Sequence, residues 1–201
     1  MTILATSGSH IFWITSRAAG LAALVLASAA VGVGLSIGGR LFKGRAPDLR
    51  VTHEALALAT LAAISLHALA LLGDSYFHPS IVDLVIPFAR NYREPYMALG
   101  ILAGWGFFLF GLSFYARKRI GIARWKIIHR FTALAWLLGI VHTLGEGSDA
   151  GQMWFLVIVI VTVAPALLLL IARLLQPRGG RATPGKPAAR PGSSAPRLRA
   201  G

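Results

Sequence analysis

Five long apolar stretches fill most of this sequence, and their length restricts the available folds more than any other feature. They run from about Ile11 to Ile37, Val51 to Leu72, Pro95 to Tyr115, Ile127 to Leu144 and Met153 to Leu175. At about 1.5 Å of rise per helical residue, each can cross a hydrocarbon layer of ~30 Å. Helix is the only open-chain structure that satisfies its own backbone in such a layer. Glycine and alanine in the first three stretches permit close helix approach. The expected fold is therefore all-α: a membrane protein built as a five-transmembrane-helix bundle.

Charge fixes the expected direction of each crossing. The chain carries a formal net charge of +13, but the cations are clustered and do not form a nucleic-acid surface. Arg40, Lys43, Arg45 and Arg50 lie between the first two stretches, and Arg117, Lys118, Arg119, Arg124 and Lys126 between the third and fourth. Arg178, Arg181, Lys186, Arg190, Arg197 and Arg199 follow the fifth. The alternate segments hold only Arg90 and Arg93. The positive-inside bias puts the N-terminus outside and the C-terminus in the cytoplasm of a plasma membrane crossed several times. Residues 1–16 contain no Lys or Arg, and the apolar run after Arg17 exceeds a signal-peptide core, so the first helix is expected to be retained. Residues 176–201 are rich in Pro, Gly, Ser and Arg and read as a disordered tail.

Four histidines fall inside the apolar stretches: His53 and His67 on the second, His129 and His142 on the fourth. An ionisable group in hydrocarbon is costly, which makes it a functional candidate. Both stretches run from inside to outside, so His53 and His129 share the cytoplasmic level while His67 and His142 share the outer one. Fourteen residue steps separate the first two histidines along the helix, about 21 Å, and thirteen separate the second two, about 19.5 Å. Rotation fits less well. His67 returns to within about 40° of His53, whereas His142 is about 140° from His129. The fourth helix must tighten or bend near Gly139, or the two bound groups must be offset around it.

Two imidazoles from facing helices suit a planar macrocycle with both axial iron positions filled by protein, an arrangement that carries electrons and leaves no open site for substrate. Each ligating imidazole is neutral, and its other nitrogen should donate a hydrogen bond. The chain has no cysteine, so thiolate ligation, disulfides and iron–sulfur clusters are excluded. A haem-free metal transporter, a structural membrane protein or a proton relay are the competing readings. Transport and relay would want carboxylates beside the histidines, and only Glu54 lies near them within the stretches.

These elements resemble the ferric reductase-like transmembrane domain, the family shared by ferric reductases, NADPH oxidases and the haem subunit of a methionine sulfoxide reductase system. The resemblance rests on the two histidine spacings, on their alternate spans, and on "RAAGLAALVL", "VIPFARNYREPYMALG" and "WKIIHRFTALAWLLGIVHTLGEGSDA". It covers roughly residues 11–175 and implies a haem domain over 1–175, followed by the basic tail at 176–201. It also implies two b-type haems with axial pairs His53/His129 and His67/His142, in an oxidoreductase component that transfers electrons. Oxidases and eukaryotic ferric reductases continue into FAD and NADPH domains. Here "RGGRATPGKPAARPG" has no flanking strand and helix and forms no phosphate loop. Electrons are then expected from a separate flavoprotein, a quinol or quinone pool, or a loosely bound flavin (FMN or FAD). The acceptor is ferric iron or an external partner reductase. On this reading the isolated chain does not oxidise NADPH.

Several residues keep two readings. Arg17 and Arg130 pair with cofactor carboxylates or snorkel to the interface. Trp13, Tyr76, Tyr92, Tyr96, Trp125 and Trp154 fit interfacial belts. The long second loop carries His78, Asp74, Asp83 and "IVDLVIPFA", which can lie along the membrane surface and dock an acceptor. With Glu146 and Asp149 it could attract ferric ions, or these are solvated loop residues. His10 has no assigned role.

Overall fold

A computed structural model describes residues 2–42, 45–75, 77–89, 94–147 and 149–176. The tail from Pro177 onward, Lys43, Tyr76, Arg90, Tyr92 and Arg93 lie outside the described residues. Among the described residues all regular structure is helical: α1 (Thr2–Gly39), α2 (Ala46–Leu72), α3 (Ile81–Val85), α4 (Glu94–Gly106), a π turn (Phe107–Gly111), α5 (Arg117–Ile120), α6 (Ile122–Glu146) and α7 (Met153–Leu175). Four helical stretches are long and apolar enough to cross a membrane: His10–Gly39, Pro47–Leu72, Ile122–Glu146 and Met153–Leu175. The chain is a multi-pass membrane protein. A further apolar helix, Pro95–Gly111, is shorter.

Apolarity predicts helix as far as Tyr115 in the third stretch, but the helix ends at Gly111. After the π turn the hydrogen bonds tighten: the N–H of Phe114 donates to Gly111 O at 3.2 Å, and that of Tyr115 to Leu112 O at 3.0 Å. This short-range pattern unwinds the helix into turns before α5. Gly121, at φ +91°, then reverses the chain into α6, a conformation that a residue with a Cβ rarely adopts.

Around α1 the other long helices assemble, with α2, α6 and α7 packed against it and α4 packed on α6. Small residues make this possible. Ala19, Ala23, Ala27 and Ala30 are buried along α1, and Ala98, Ala103 and Ala135 on α4 and α6. A methyl group at Gly106 would stand 2.7 Å from Ala135 Cβ, so the α4–α6 crossing is set by the missing side chain. On α7 the buried residues Phe155, Val159, Val163 and Ala166 follow helical periodicity and close a core with Leu24, Ala27 and Trp136.

Trp136 is wholly buried, and its indole N–H donates to Ser28 Oγ at 3.0 Å. Ser28 in turn donates to Leu24 O at 2.7 Å, so the indole and the hydroxyl are both satisfied in this apolar centre. Large side chains elsewhere point outward: Leu69, Leu109, Ile160, Val161 and Leu168 are all more than half exposed. Such a surface suits a hydrocarbon solvent and not water.

Candidate functional site

The helix register brings the four intramembrane histidines together in two pairs. His53 of α2 faces His129 of α6 with ring centres 6.0 Å apart, and His67 faces His142 at 6.4 Å. The two ring planes are nearly perpendicular in the first pair, 88°, and steeply inclined in the second, 73°. A metal ion between two imidazoles needs bonds of about 2 Å on each side and roughly 1.1 Å from each nitrogen to its ring centre, hence about 6.2 Å in all. Both separations match that figure. Among the described residues no three His, Asp or Glu side chains gather into a metal cluster. Each pair could supply two nitrogen ligands to a metal placed between its rings.

Main-chain carbonyls orient every ring. Nδ1 of His53 bonds to Ala30 O at 2.9 Å, that of His67 to Ser16 O at 2.7 Å, that of His142 to Tyr96 O at 2.8 Å, and that of His129 to Phe110 O at 3.3 Å. A carbonyl only accepts, so in each case Nδ1 carries the proton and donates. The other nitrogen, Nε2, then keeps its lone pair for a metal.

Carbonyls inside a helix are reachable only where the neighbouring residue is small. One turn beyond the acceptor stands a glycine in three of the four cases: Gly34 after Ala30, Gly20 after Ser16 and Gly100 after Tyr96. Methyl groups there would approach the rings of His53, His67 and His142 to 3.0, 3.0 and 2.5 Å respectively. The fourth acceptor is released differently. Phe110 lies in the π turn, and Phe114 donates its N–H to Gly111 instead of to Phe110. The Phe110 carbonyl thus turns to side chains.

That π turn also accounts for the unequal histidine spacing. α6 is unbroken α-helix through both histidines, with no tightening at Gly139. A π turn holds one residue more than an α turn, so the fourteen steps from Tyr96 to Phe110 advance like the thirteen from His129 to His142. The irregularity sits in the helix that orients the rings, and the rings leave α6 on different flanks.

Beside the His67/His142 pair opens a cavity of about 1040 Å³, walled by residues that include Trp13, Ile64, Met97, Phe108 and Trp136. Small-molecule pockets commonly enclose about 300–1,000 Å³, so this cavity is slightly larger than that range. Arg17 and Asp149 also border it and form an ion pair. The Arg17 guanidinium lies 4.1 Å from the Trp13 ring centre. Asp149 is thus engaged with Arg17 and is not a solvated loop carboxylate. Arg130 is exposed.

On the His53/His129 side, the Trp125 indole stacks on His129 with centres 5.2 Å apart and planes at 27°, and Phe114 meets Trp125 edge-on. Trp125 is therefore part of the histidine environment, beyond the interfacial role expected of it. His10 and His78 are exposed. In the second loop, Ser80 and Asp83 form a reciprocal cap on α3, and Ile81, Val82, Ile86 and Phe88 are exposed. The partner carbonyls cannot be read from side chains, but Gly20 and Gly34 repeat the fourteen-residue step of His53 and His67. No family model, characterised protein or solved structure matches this chain.

Proposed function

We propose that this chain is a transmembrane b-type cytochrome, with one haem held by His53 and His129 and a second by His67 and His142. The observation that carries the reading is the joint geometry of the rings. They face each other at 6.0 and 6.4 Å, and each has Nδ1 tied to a main-chain carbonyl. Bound there, the haems would supply one-electron transfer across the membrane, with both axial positions occupied by protein. The residues fit that role. Nδ1–H donation fixes the ring tautomer, the glycines let the rings lie against the neighbouring backbone, and the parallel course of α2 and α6 sets two levels.

The topology that goes with this reading is a five-helix bundle in which Pro95–Gly111 is the fifth crossing. The N-terminus is outside and the basic tail lies in the cytoplasm of the plasma membrane. The chain resembles the ferric reductase-like transmembrane domain in its histidine pattern. It serves as the electron-transfer component of an oxidoreductase that takes electrons from a separate flavoprotein, a loosely bound flavin or a quinol. It delivers them to external ferric iron or a partner reductase.

Purification in detergent after expression with sufficient haem supply tests the proposal. Two haems per chain, with a b-type Soret band and a sharp α band on dithionite reduction, are expected. A haem-free preparation that is folded and monodisperse would overturn it in favour of a transporter or structural protein.

A further inference from the structure

Three of the four ring hydrogen bonds are 2.7–2.9 Å long, and the exception is His129, at 3.3 Å from Phe110 O. The same carbonyl has a second suitor. The Ser113 hydroxyl donates to Phe110 O at 2.5 Å, so it holds the shorter and stronger bond. Ser113 is buried, and the π turn that frees the Phe110 carbonyl also places Ser113 one turn beyond it. At the outer pair the arrangement is reversed. The Ser16 hydroxyl lies 3.1 Å from His67 Nδ1 and 3.3 Å from the His67 carbonyl, on the side of the ring it accompanies, while Ser16 O accepts at 2.7 Å.

We propose that Ser113 is a positioning residue that weakens the Phe110–His129 hydrogen bond by competing for the same carbonyl, and so raises the reduction potential of the His53/His129 centre. The inference rests on the haem reading of the two pairs. The chemistry is direct. An imidazole that donates a strong hydrogen bond through Nδ1 becomes a more electron-rich ligand through Nε2 and favours the oxidised metal. A hydroxyl that takes up the acceptor's electron density leaves the imidazole less electron-rich and shifts the balance towards the reduced metal. Ser113 reaches the centre through the Phe110 carbonyl, which it shares with His129.

The test is a redox titration of the full-length, haem-loaded protein as Ser113→Ala and Ser113→Thr. Each is made in a His67→Leu background that retains only the inner centre and in a His53→Leu background that retains only the outer. In the first background Ser113→Ala should multiply the oxidised-to-reduced ratio at fixed potential by about fivefold, the scale of one net hydrogen bond. Ser113→Thr keeps the hydroxyl and should restore the parent value, and neither change should move the outer centre. The low-spin ferric signal of the inner centre should shift with the potential. An unchanged inner potential at full haem content, or an equal shift in both centres, overturns the role of Ser113 and leaves the cytochrome standing. Absence of haem from the parent protein instead overturns the functional reading itself.

Discussion

Gly34 lies against the imidazole of His53: a methyl group built on its α-carbon would stand 3.0 Å from Cε1 and 3.4 Å from Nδ1. Gly20 stands in the same relation to His67. Gly100 is tighter, since a methyl group there would lie 2.5 Å from His142 Nδ1 and 2.8 Å from its Cγ. The ring of a helix-borne histidine cannot retreat far without losing its partner, so the three glycines are expected to differ in tolerance. Gly100→Ala should cost more than Gly20→Ala or Gly34→Ala, within the roughly 1–3 kcal/mol usual for overpacking. Haem retention during detergent thermal challenge measures the ranking, and equal tolerance at all three would contradict it.

Each histidine pair should be separable. On the cytochrome proposal, His67→Leu would remove a ligand of one haem and His53→Leu a ligand of the other, so each variant should retain about half the haem of the parent. Pyridine haemochrome assay per folded chain gives the number. If a single substitution empties both centres while the helices stay intact by circular dichroism, the assignment of one haem to His53/His129 and another to His67/His142 is wrong.

Ring orientation has its own spectroscopic signature. The imidazole planes are at 88° and 73° within the two pairs. Perpendicular axial imidazoles keep the ferric d orbitals nearly degenerate, whereas coplanar ones split them. Haems held by these two pairs, as proposed, would give strongly anisotropic low-spin signals in low-temperature electron paramagnetic resonance of the oxidised protein, the more extreme from the His53/His129 pair. A purely rhombic spectrum of the kind produced by coplanar rings would be incompatible with these angles.

The buried chain from Trp136 through Ser28 to Leu24 carries a stability prediction. Ser28→Ala strips the indole N–H of its acceptor in an apolar core, which should cost about 1–3 kcal/mol. Trp136→Phe in the same background removes the stranded donor and should recover part of that loss. Unfolding in detergent, followed by circular dichroism for all three proteins, checks both statements.

At the end of the bundle opposite Trp13, Tyr115 donates its hydroxyl proton to Glu54 Oε1 at 2.8 Å. The carboxylate that accepts this bond holds the phenol above its ordinary titration range. Glu54→Gln should bring Tyr115 back down towards that range. Ultraviolet difference titration of the variant against the parent should show one tyrosine ionising at lower pH in the variant. An unaltered curve would mean that the pair does not persist in solution.

Much of this architecture is legible in the residues themselves. The apolar runs mark the four long helices, because backbone hydrogen bonding in hydrocarbon leaves few alternatives. The pairing of His53 with His129 and His67 with His142 follows from charge bias and helical rise, and the rings do meet in those combinations. The third stretch reads too long from its apolarity because Phe107–Gly111, "FFLFG", contains no proline or other residue that marks a π turn. Arg17 likewise shows no partner in the linear sequence. Asp149 lies far along the chain, beyond α6, and only the packing of α1 against α6 and α7 brings it near. Main-chain acceptors are invisible to any reading of side chains, although the glycines that expose them are not.

The fourteen-residue step shared by α1 and α2 makes the two centres dependent on a single ruler. Ser16 with Gly20 serves one histidine, and Ala30 with Gly34 serves the other, from two levels of one continuous helix. One residue inserted between Gly20 and Gly34 would turn one cradle by about 100° against the other while leaving hydrophobicity and span length nearly unchanged. Such a chain would still enter a membrane and still look, by composition, like its parent. It would have lost the alignment of the two histidine pairs, the property hardest to regain by any single substitution.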